Sequence, residues 1–100
     1  MRRAAKVDEN QARIVEVARR AGASVAHTYQ LGSGYPDVTI GVAGFNLLWE
    51  IKTDGGQLTG REVEFHTTWR GQVDIVRTPE QAISLISKWR QLGEWLKEGY

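Results

Sequence analysis

The fold is decided by residues 36–52, which read PDVTIGVAGFNLLWEIK. Two runs rich in β-branched and apolar residues, 38–42 and 45–53, flank a turn at 43–44, and this pattern predicts two antiparallel strands joined as a hairpin. The run at 47–49 is apolar on both faces of its strand, which is typical of a central strand. We therefore expect this hairpin to form the middle of a sheet.

Charged side chains lie at the outer ends of these two strands. Asp37 precedes the first strand, whereas Glu50 and Lys52 end the second and share one face of it, with Ile51 pointing into the core. Counting outward from the turn at 43–44 places Asp37 opposite the region of Glu50. Two facing carboxylates beside an ammonium favour a hard divalent cation with oxygen ligands over zinc. The alternative is a buried ion pair with an extra aspartate, which is costly in a domain of this size.

The segments on either side of the hairpin alternate between helix and strand patterns. Before the hairpin they predict a helix that is capped by Asp8 and ended by Gly22, and then a strand over 24–30. After the hairpin they predict a helix from Thr59 to about Arg70, a strand over 73–76 and a helix from Thr78 onward. Gly93 makes a break in this last helix plausible. The order is then α-β-β-β-α-β-α. A three-strand meander followed by a helical crossover predicts the fold class α/β, with a mixed central sheet flanked by helices.

Composition limits the classes of protein to which this chain could belong. Its 100 residues, 41% hydrophobic and 25% charged, are enough for one domain with a small core. The absence of cysteine excludes a disulfide scaffold, a zinc ribbon and a thiol nucleophile. No apolar run approaches the roughly 20 residues of a membrane span. The basic residues 1–6 lead into a polar stretch, so we expect no secretory signal, no membrane partner and a cytoplasmic protein.

Charge is distributed unevenly along the chain. Residues 1–34 contain six basic and three acidic side chains, residues 35–78 contain four and six, and residues 79–100 contain three of each. A basic amino-terminal third beside an acidic middle fits a protein that holds a polyanion near a carboxylate cluster. Solvated helix faces explain the same counts equally well.

One motif joins the candidate residues. Gly34-Tyr35-Pro36-Asp37, followed after the hairpin by Glu50-Ile51-Lys52, resembles the PD-(D/E)XK nuclease motif. The flanking segments make the chain similar to the VRR-NUC branch of that superfamily, in its minimal stand-alone phage form; these segments are 57–59, 65–66, 69–71 and 73–78. The resemblance covers roughly residues 7–88, and residues 89–100 extend beyond it. It implies a restriction-endonuclease-like core in a single domain over residues 1–100.

The resemblance implies an Mg²⁺-dependent endodeoxyribonuclease, with Mn²⁺ as a substitute and no organic cofactor. Asp37, Glu50 and the carbonyl of Ile51 would then hold the metal, and Lys52 would orient the attacking water or help to deprotonate it. Related enzymes also place a residue of the first helix near the metal. The candidates for that position here are Asp8, Asn10 and Gln11. For Asp8, the alternative is a helix cap without contact to a metal.

Two further residues carry both a catalytic and a structural interpretation. Glu62 stands where this branch usually has a glutamine, so it could add a third carboxylate to the site or leave that role unfilled. The capping box begun by Thr59 explains Glu62 without any catalytic role. His66, one turn later, could contact the phosphate or the attacking water, and the alternative is a packing histidine between Phe65 and Trp69.

The expected partners are branched DNA, such as a four-way junction, and a second copy of the chain. We expect nucleic-acid contacts from eight residues: Arg2, Arg3, Lys6, Asn10, Gln11, Arg13, Ser33 and Arg61. The stretch 89–100 is rich in large apolar residues, including Trp95 and Leu96, and such an excess is typical of an interface, here a homodimer contact. The alternative function is a non-catalytic nucleic-acid or protein-binding module on the same fold.

Overall fold

The chain forms a small α/β domain whose element order is the predicted one. The computed structural model describes the backbone of residues 4–99, and side chains from residue 9 to residue 99. Within this part the elements are α1 (Ala4–Arg20), β1 (Ser24–His27), a short 3-10 helix (Tyr29–Leu31), β2 (Val38–Val42), β3 (Phe45–Ile51), α2 (Gly60–Thr68), β4 (Asp74–Val76) and α3 (Pro79–Gly99).

The four strands form one mixed sheet in the order β1-β2-β3-β4. Neighbouring strands are antiparallel from β1 to β3, and β4 runs parallel to β3 because α2 forms the crossover between them. The predicted hairpin therefore does occupy the middle of the sheet. Trp49, in the centre of β3, is fully buried.

The hairpin between β2 and β3 turns on two residues. Ala43 and Gly44 have φ angles of 52° and 87°, the left-handed pair that a tight hairpin of this twist requires. This turn fixes the register, in which Val38 pairs with Trp49. One step further along the same register, Asp37 reaches the end of β3 beside Glu50, as counting outward from the turn predicts.

The two faces of the sheet have different surroundings. α1 and α3 pack against the face that carries Val38, Ile40, Leu47, Trp49 and Ile51, and together they form the hydrophobic core. Glu50 alternates with Trp49 and Ile51, so its side chain lies on the other face, toward α2. That face has no comparable apolar cover, because α2 contributes no buried residue.

Several element ends differ from the predicted ones. α1 already begins at Ala4, so Asp8 lies inside the helix and the prediction that Asp8 caps it is wrong. β1 ends at His27, where the chain turns into the 3-10 helix, although the Thr28 N–H still bonds to the Asp37 carbonyl at 2.8 Å. β3 ends at Ile51, two residues early, and α2 ends at Thr68 because Trp69 adopts an extended conformation.

α3 does not break at Gly93, contrary to the prediction. The helix passes so close to the hairpin turn there that a Cβ on residue 93 would lie 2.9 Å from the Cβ of Ala43. The glycine therefore allows helix and turn to pack together, and its low helix propensity is offset by that contact. No helix in the described part of the chain has the length and apolar character needed to cross a membrane.

The contact at Gly93 gives a stability prediction. Gly93→Ala should lower the free energy of unfolding by about 1–3 kcal/mol, because overpacking outweighs the gain in helix propensity. Gly60→Ala is the matched control, since a Cβ added at residue 60 would meet no atom within 4 Å, and it should be at least as stable as the wild type. Adding Ala43→Gly should restore part of the loss in urea unfolding. A Gly93→Ala protein as stable as the wild type would contradict this packing.

Candidate active site

A cavity of about 300 Å³ opens where β2 begins and β3 ends. It is bordered by α1, by the two strands, by the loop after β3 and by the first turn of α2. Its lining consists of Asn10, Asp37, Glu50, Ile51, Lys52, Thr53, Gly56, Gln57 and Glu62. The three residues that the sequence singles out, Asp37, Glu50 and Lys52, are thus brought to one place.

Asp37 is held in the cavity by backbone hydrogen bonds. Its Oδ2 accepts the N–H of Ile51 at 2.8 Å, and its own carbonyl accepts the N–H of Thr28 at 2.8 Å. The side chain therefore links β2 to the end of β3, where a ladder bond would otherwise be missing.

Glu50 is a buried carboxylate with an unsatisfied oxygen. Only 2% of the residue is exposed, and its Oε1 has no hydrogen-bond partner among the described residues. Burial, followed by the hydrogen bond and the negative charge of Asp37, raises the pKa of Glu50 to about 9. Lys52 Nζ is 3.9 Å from Glu50 Oε2, too far to compensate fully. Glu50 therefore keeps its proton at neutral pH unless a positive charge is added beside it.

Lys52 is tied to α2 as well as to β3. Its Nζ lies 2.8 Å from Glu62 Oε1, and Glu62 Oε1 also accepts the N–H of Thr59 at 2.9 Å. Burial by itself would raise the pKa of Glu62, but the bonds from Lys52 and Thr59 outweigh it and lower the pKa. Glu62 is thus both the capping-box residue of α2 and a carboxylate of the cavity, so its two interpretations describe the same side chain.

Of the two first-helix candidates whose side chains are described, Asn10 and Gln11, Asn10 is the one that reaches the cavity. Its Nδ2 donates to the Lys52 carbonyl at 3.1 Å. Gln11 is 8% exposed and donates to His27 Nδ1 at 3.4 Å, so the structure does not bring it to the cavity. The side chain of Asp8 lies outside the described residues.

His66 is half-buried and is not among the residues that line the cavity. Its Nε2 has no hydrogen-bond partner in the described part of the chain. Burial lowers the pKa of His66 although Glu62 and Asp74 act in the opposite direction, so the ring is neutral at pH 7.

The expected nucleic-acid contacts are distributed around the domain. Arg13, Ser33 and Arg61 are exposed, and the last two line a separate cavity of about 510 Å³ beside α2. Arg2 and Arg3 lie outside the described residues, as does the side chain of Lys6. In the C-terminal stretch, Trp95 is 66% exposed.

Three polar groups near the cavity were not singled out from the sequence. Gln57 lines the cavity, and the signal for it was an amide in the short loop between Lys52 and the next helix start. Arg77 Nη1 donates to the carbonyls of Thr53 and Gly56 at 2.8 and 2.6 Å, which fixes the course of that loop. A third group, the Gln72 side chain, extends the pairing along β3 through two bonds to the backbone of residue 48.

The donor set of the cavity suits a hard divalent cation. Asp37 and Glu50 offer carboxylate oxygens, one of them buried without a partner among the described residues, and a bound cation would offset the burial and the Asp37 charge that raise the pKa of Glu50. Ile51 adds a backbone carbonyl, since its side chain lies in the core. Among the described side chains no group of three or more His, Asp or Glu is spaced to hold a metal ion.

Comparison with known proteins identifies no relative. No protein-family model matches the chain, and neither the curated proteins nor the solved structures contain a match. The resemblance to the VRR-NUC branch therefore stays a prediction.

The buried carboxylate predicts an unusual dependence of stability on pH. Between the pKa of Glu50 in the unfolded chain and its folded value of about 9, the folded state holds the extra proton. The free energy of unfolding in EDTA should then fall as pH rises from 5 to 9, by up to about 1.4 kcal/mol per pH unit. Glu50→Gln should flatten this slope and raise stability at pH 8. Glu94→Gln, which changes an exposed carboxylate on α3, should retain the wild-type slope; equal slopes in all three proteins would contradict the burial of Glu50.

Proposed function

We propose that this chain is a divalent-metal-dependent endodeoxyribonuclease of the PD-(D/E)XK type, built on a restriction-endonuclease-like core and closest in pattern to the VRR-NUC branch. The observation that carries the proposal is the convergence of Asp37, Glu50 and Lys52 on one cavity, with a buried carboxylate oxygen that lacks a partner. A binding module gains nothing from such a costly group, whereas a metal-dependent hydrolase needs it.

Five of the residues that line the cavity have a role in this proposal. Asp37, Glu50 and the Ile51 carbonyl would hold Mg²⁺ or Mn²⁺, which when bound supplies Lewis acidity to the phosphate and activates water. Lys52 places its ammonium between Glu50 and Glu62, where it can hydrogen-bond the attacking water and offset the negative charge that develops on the phosphate. Asn10 holds the backbone at Lys52 and so keeps the ammonium in position.

The reaction is hydrolysis of a phosphodiester. The oxygen of water forms a bond to phosphorus, the opposite P–O ester bond breaks, and the leaving oxygen takes up a proton. The chain's own contribution is to orient the water through Lys52 and to exclude bulk solvent from one side of the phosphate, since the cavity floor is formed by buried residues of β3.

The proposed substrate is branched DNA, and the proposed assembly is a homodimer. The exposed Arg13 and Arg61 lie in α1 and α2, the two helices that border the cavity, and can contact phosphates on either side of it. The large exposed indole of Trp95 near the end of α3 supports a contact with a second copy. Two active sites at a fixed separation suit the two strands of a four-way junction.

Cleavage assays test the proposal directly. The wild type should cut a labelled four-way junction in Mg²⁺ but not in EDTA, with a linear duplex and a flap as comparison substrates. Lys52→Ala and Asp37→Asn should each lose at least about 100-fold in rate, the typical effect of removing a group that stabilises developing charge. Lys88→Ala, which removes an exposed lysine on α3, should cut like the wild type. Full activity in either site variant would overturn the assignment, and binding without any cleavage would favour the non-catalytic module.

Metal binding has its own test, which does not need a substrate. Mn²⁺ should raise the melting temperature of the wild type, and more at pH 8 than at pH 6, because the ion competes with the proton held on Glu50. Asp37→Asn should lose most of this stabilisation, whereas Lys88→Ala should keep it. The same Mn²⁺ shift in Asp37→Asn and in the wild type would place the ion elsewhere.

A further inference from the structure

A cluster of three aromatic side chains lies outside the core and next to the candidate active site. Phe65 and Trp69 stack with ring centroids 4.9 Å apart and planes inclined by 18°. Tyr35 meets both rings edge-on, at 5.3 Å and 6.2 Å. We call Tyr35, Phe65 and Trp69 the aromatic platform.

The aromatic platform lies outside the hydrophobic core and is partly exposed to solvent. None of its members belongs to the hydrophobic core, and α2, which carries Phe65, has no buried residue. One face of the Trp69 indole is covered by Phe65, yet 42% of the residue stays exposed. A half-open indole on a helix that lacks a buried face is a surface suited to stacking another flat ring.

The residues of the aromatic platform lie close in the chain to residues that line the cavity. Tyr35 lies two residues before Asp37. Phe65 lies on α2 three residues after Glu62, and Trp69 caps the C-terminal end of that helix, seven residues after Glu62. The rise from Glu62 to Trp69 is about 10 Å, which is about the length of three stacked nucleotides. A strand with its phosphate at the cavity would therefore bring a base about three nucleotides along the strand within reach of Trp69.

The charges around the aromatic platform suit a polyanion that carries bases. Exposed arginines lie at both ends, Arg61 one turn before Phe65 and Arg70 directly after Trp69. Arg61 and Phe65 also line the cavity of about 510 Å³, whose single acidic lining residue is Glu64. Aromatic rings interleaved with basic side chains bind single-stranded nucleic acid, because every base has a π-face and every phosphate a charge.

We propose that the aromatic platform stacks an unpaired nucleobase of the substrate, about three nucleotides from the phosphate held at the cavity. This inference rests on the proposed nuclease function and deepens it, because it names what distinguishes the substrate. A base inside a continuous duplex has both faces covered by its neighbours, whereas a branch point leaves base faces free. Selectivity for branched DNA would then come from Trp69 and its two aromatic neighbours.

Two conservative substitutions separate stacking from simple packing. Trp69→Phe keeps a π-face, whereas Trp69→Leu keeps apolar volume without one. Tyr29→Leu is the matched control, since it removes an exposed aromatic ring from the 3-10 helix, outside the aromatic platform. Binding is measured in EDTA, so that no cleavage occurs, with a labelled four-way junction and with a linear duplex of the same length.

Trp69→Leu should bind the junction about 5- to 100-fold more weakly, the effect of losing one stacked base, and should bind the duplex unchanged. Trp69→Phe and Tyr29→Leu should bind both DNAs like the wild type. A junction with 2-aminopurine at the branch point should lose fluorescence on binding the wild type, whereas the same base inside a paired arm should not. This second measurement needs no variant and so does not depend on the stability of Trp69→Leu.

The outcomes separate the inference from the function on which it rests. Equal junction affinities for Trp69→Leu and Trp69→Phe, or an unchanged 2-aminopurine signal, overturn the stacking inference even if the wild type cuts DNA in Mg²⁺. Trp69-dependent binding without cleavage in Mg²⁺ supports stacking and overturns the nuclease. A change in the oligomeric mass of Trp69→Leu, measured by light scattering, also overturns the inference, because the aromatic platform would then contact a second copy.

Discussion

The burial of Glu50 beside Asp37 is the constraint on which the rest of the site depends. The hairpin register brings the two carboxylates together, and the 2% exposure of Glu50 denies them the solvent that would separate their charges. Lys52 compensates the negative charge of these carboxylates only in part, because its ammonium lies closer to Glu62 than to Glu50. Under the proposed function, a divalent cation would supply the positive charge that this pair of carboxylates lacks.

α2 joins the structural and the chemical parts of the molecule. Its capping box and its ion pair to Lys52 use the same Glu62 oxygen, so the start of the helix and the position of the ammonium are coupled. Because the helix buries no residue of its own, these contacts and the aromatic cluster at its far end hold it against the sheet. A substrate that contacts α2 would therefore act on Lys52 as well, through Glu62.

Residues outside the cavity hold the strands and the loop that carry the cavity residues. Arg77 and Gln72 hold the loop after β3 and the backbone of β3 itself through side-chain bonds to carbonyl and amide groups. Gly93 lets α3 lie against the hairpin turn and thereby supports the register from the opposite face. The candidate site thus depends on long-range packing across a domain of only 100 residues. A small change in packing far from the cavity would therefore shift the positions of the cavity side chains.

The sequence by itself determined the element order, the hairpin and the meeting of Asp37 with Glu50, because strand alternation and a two-residue turn leave one register open. It also identified the capping box of Thr59, which is a local pattern. Only the tertiary structure decided that Asn10 rather than Gln11 reaches the cavity, that Glu62 contacts Lys52, and that α3 continues through Gly93. Each of these depends on the angle and distance between elements remote in the chain, which local patterns do not encode.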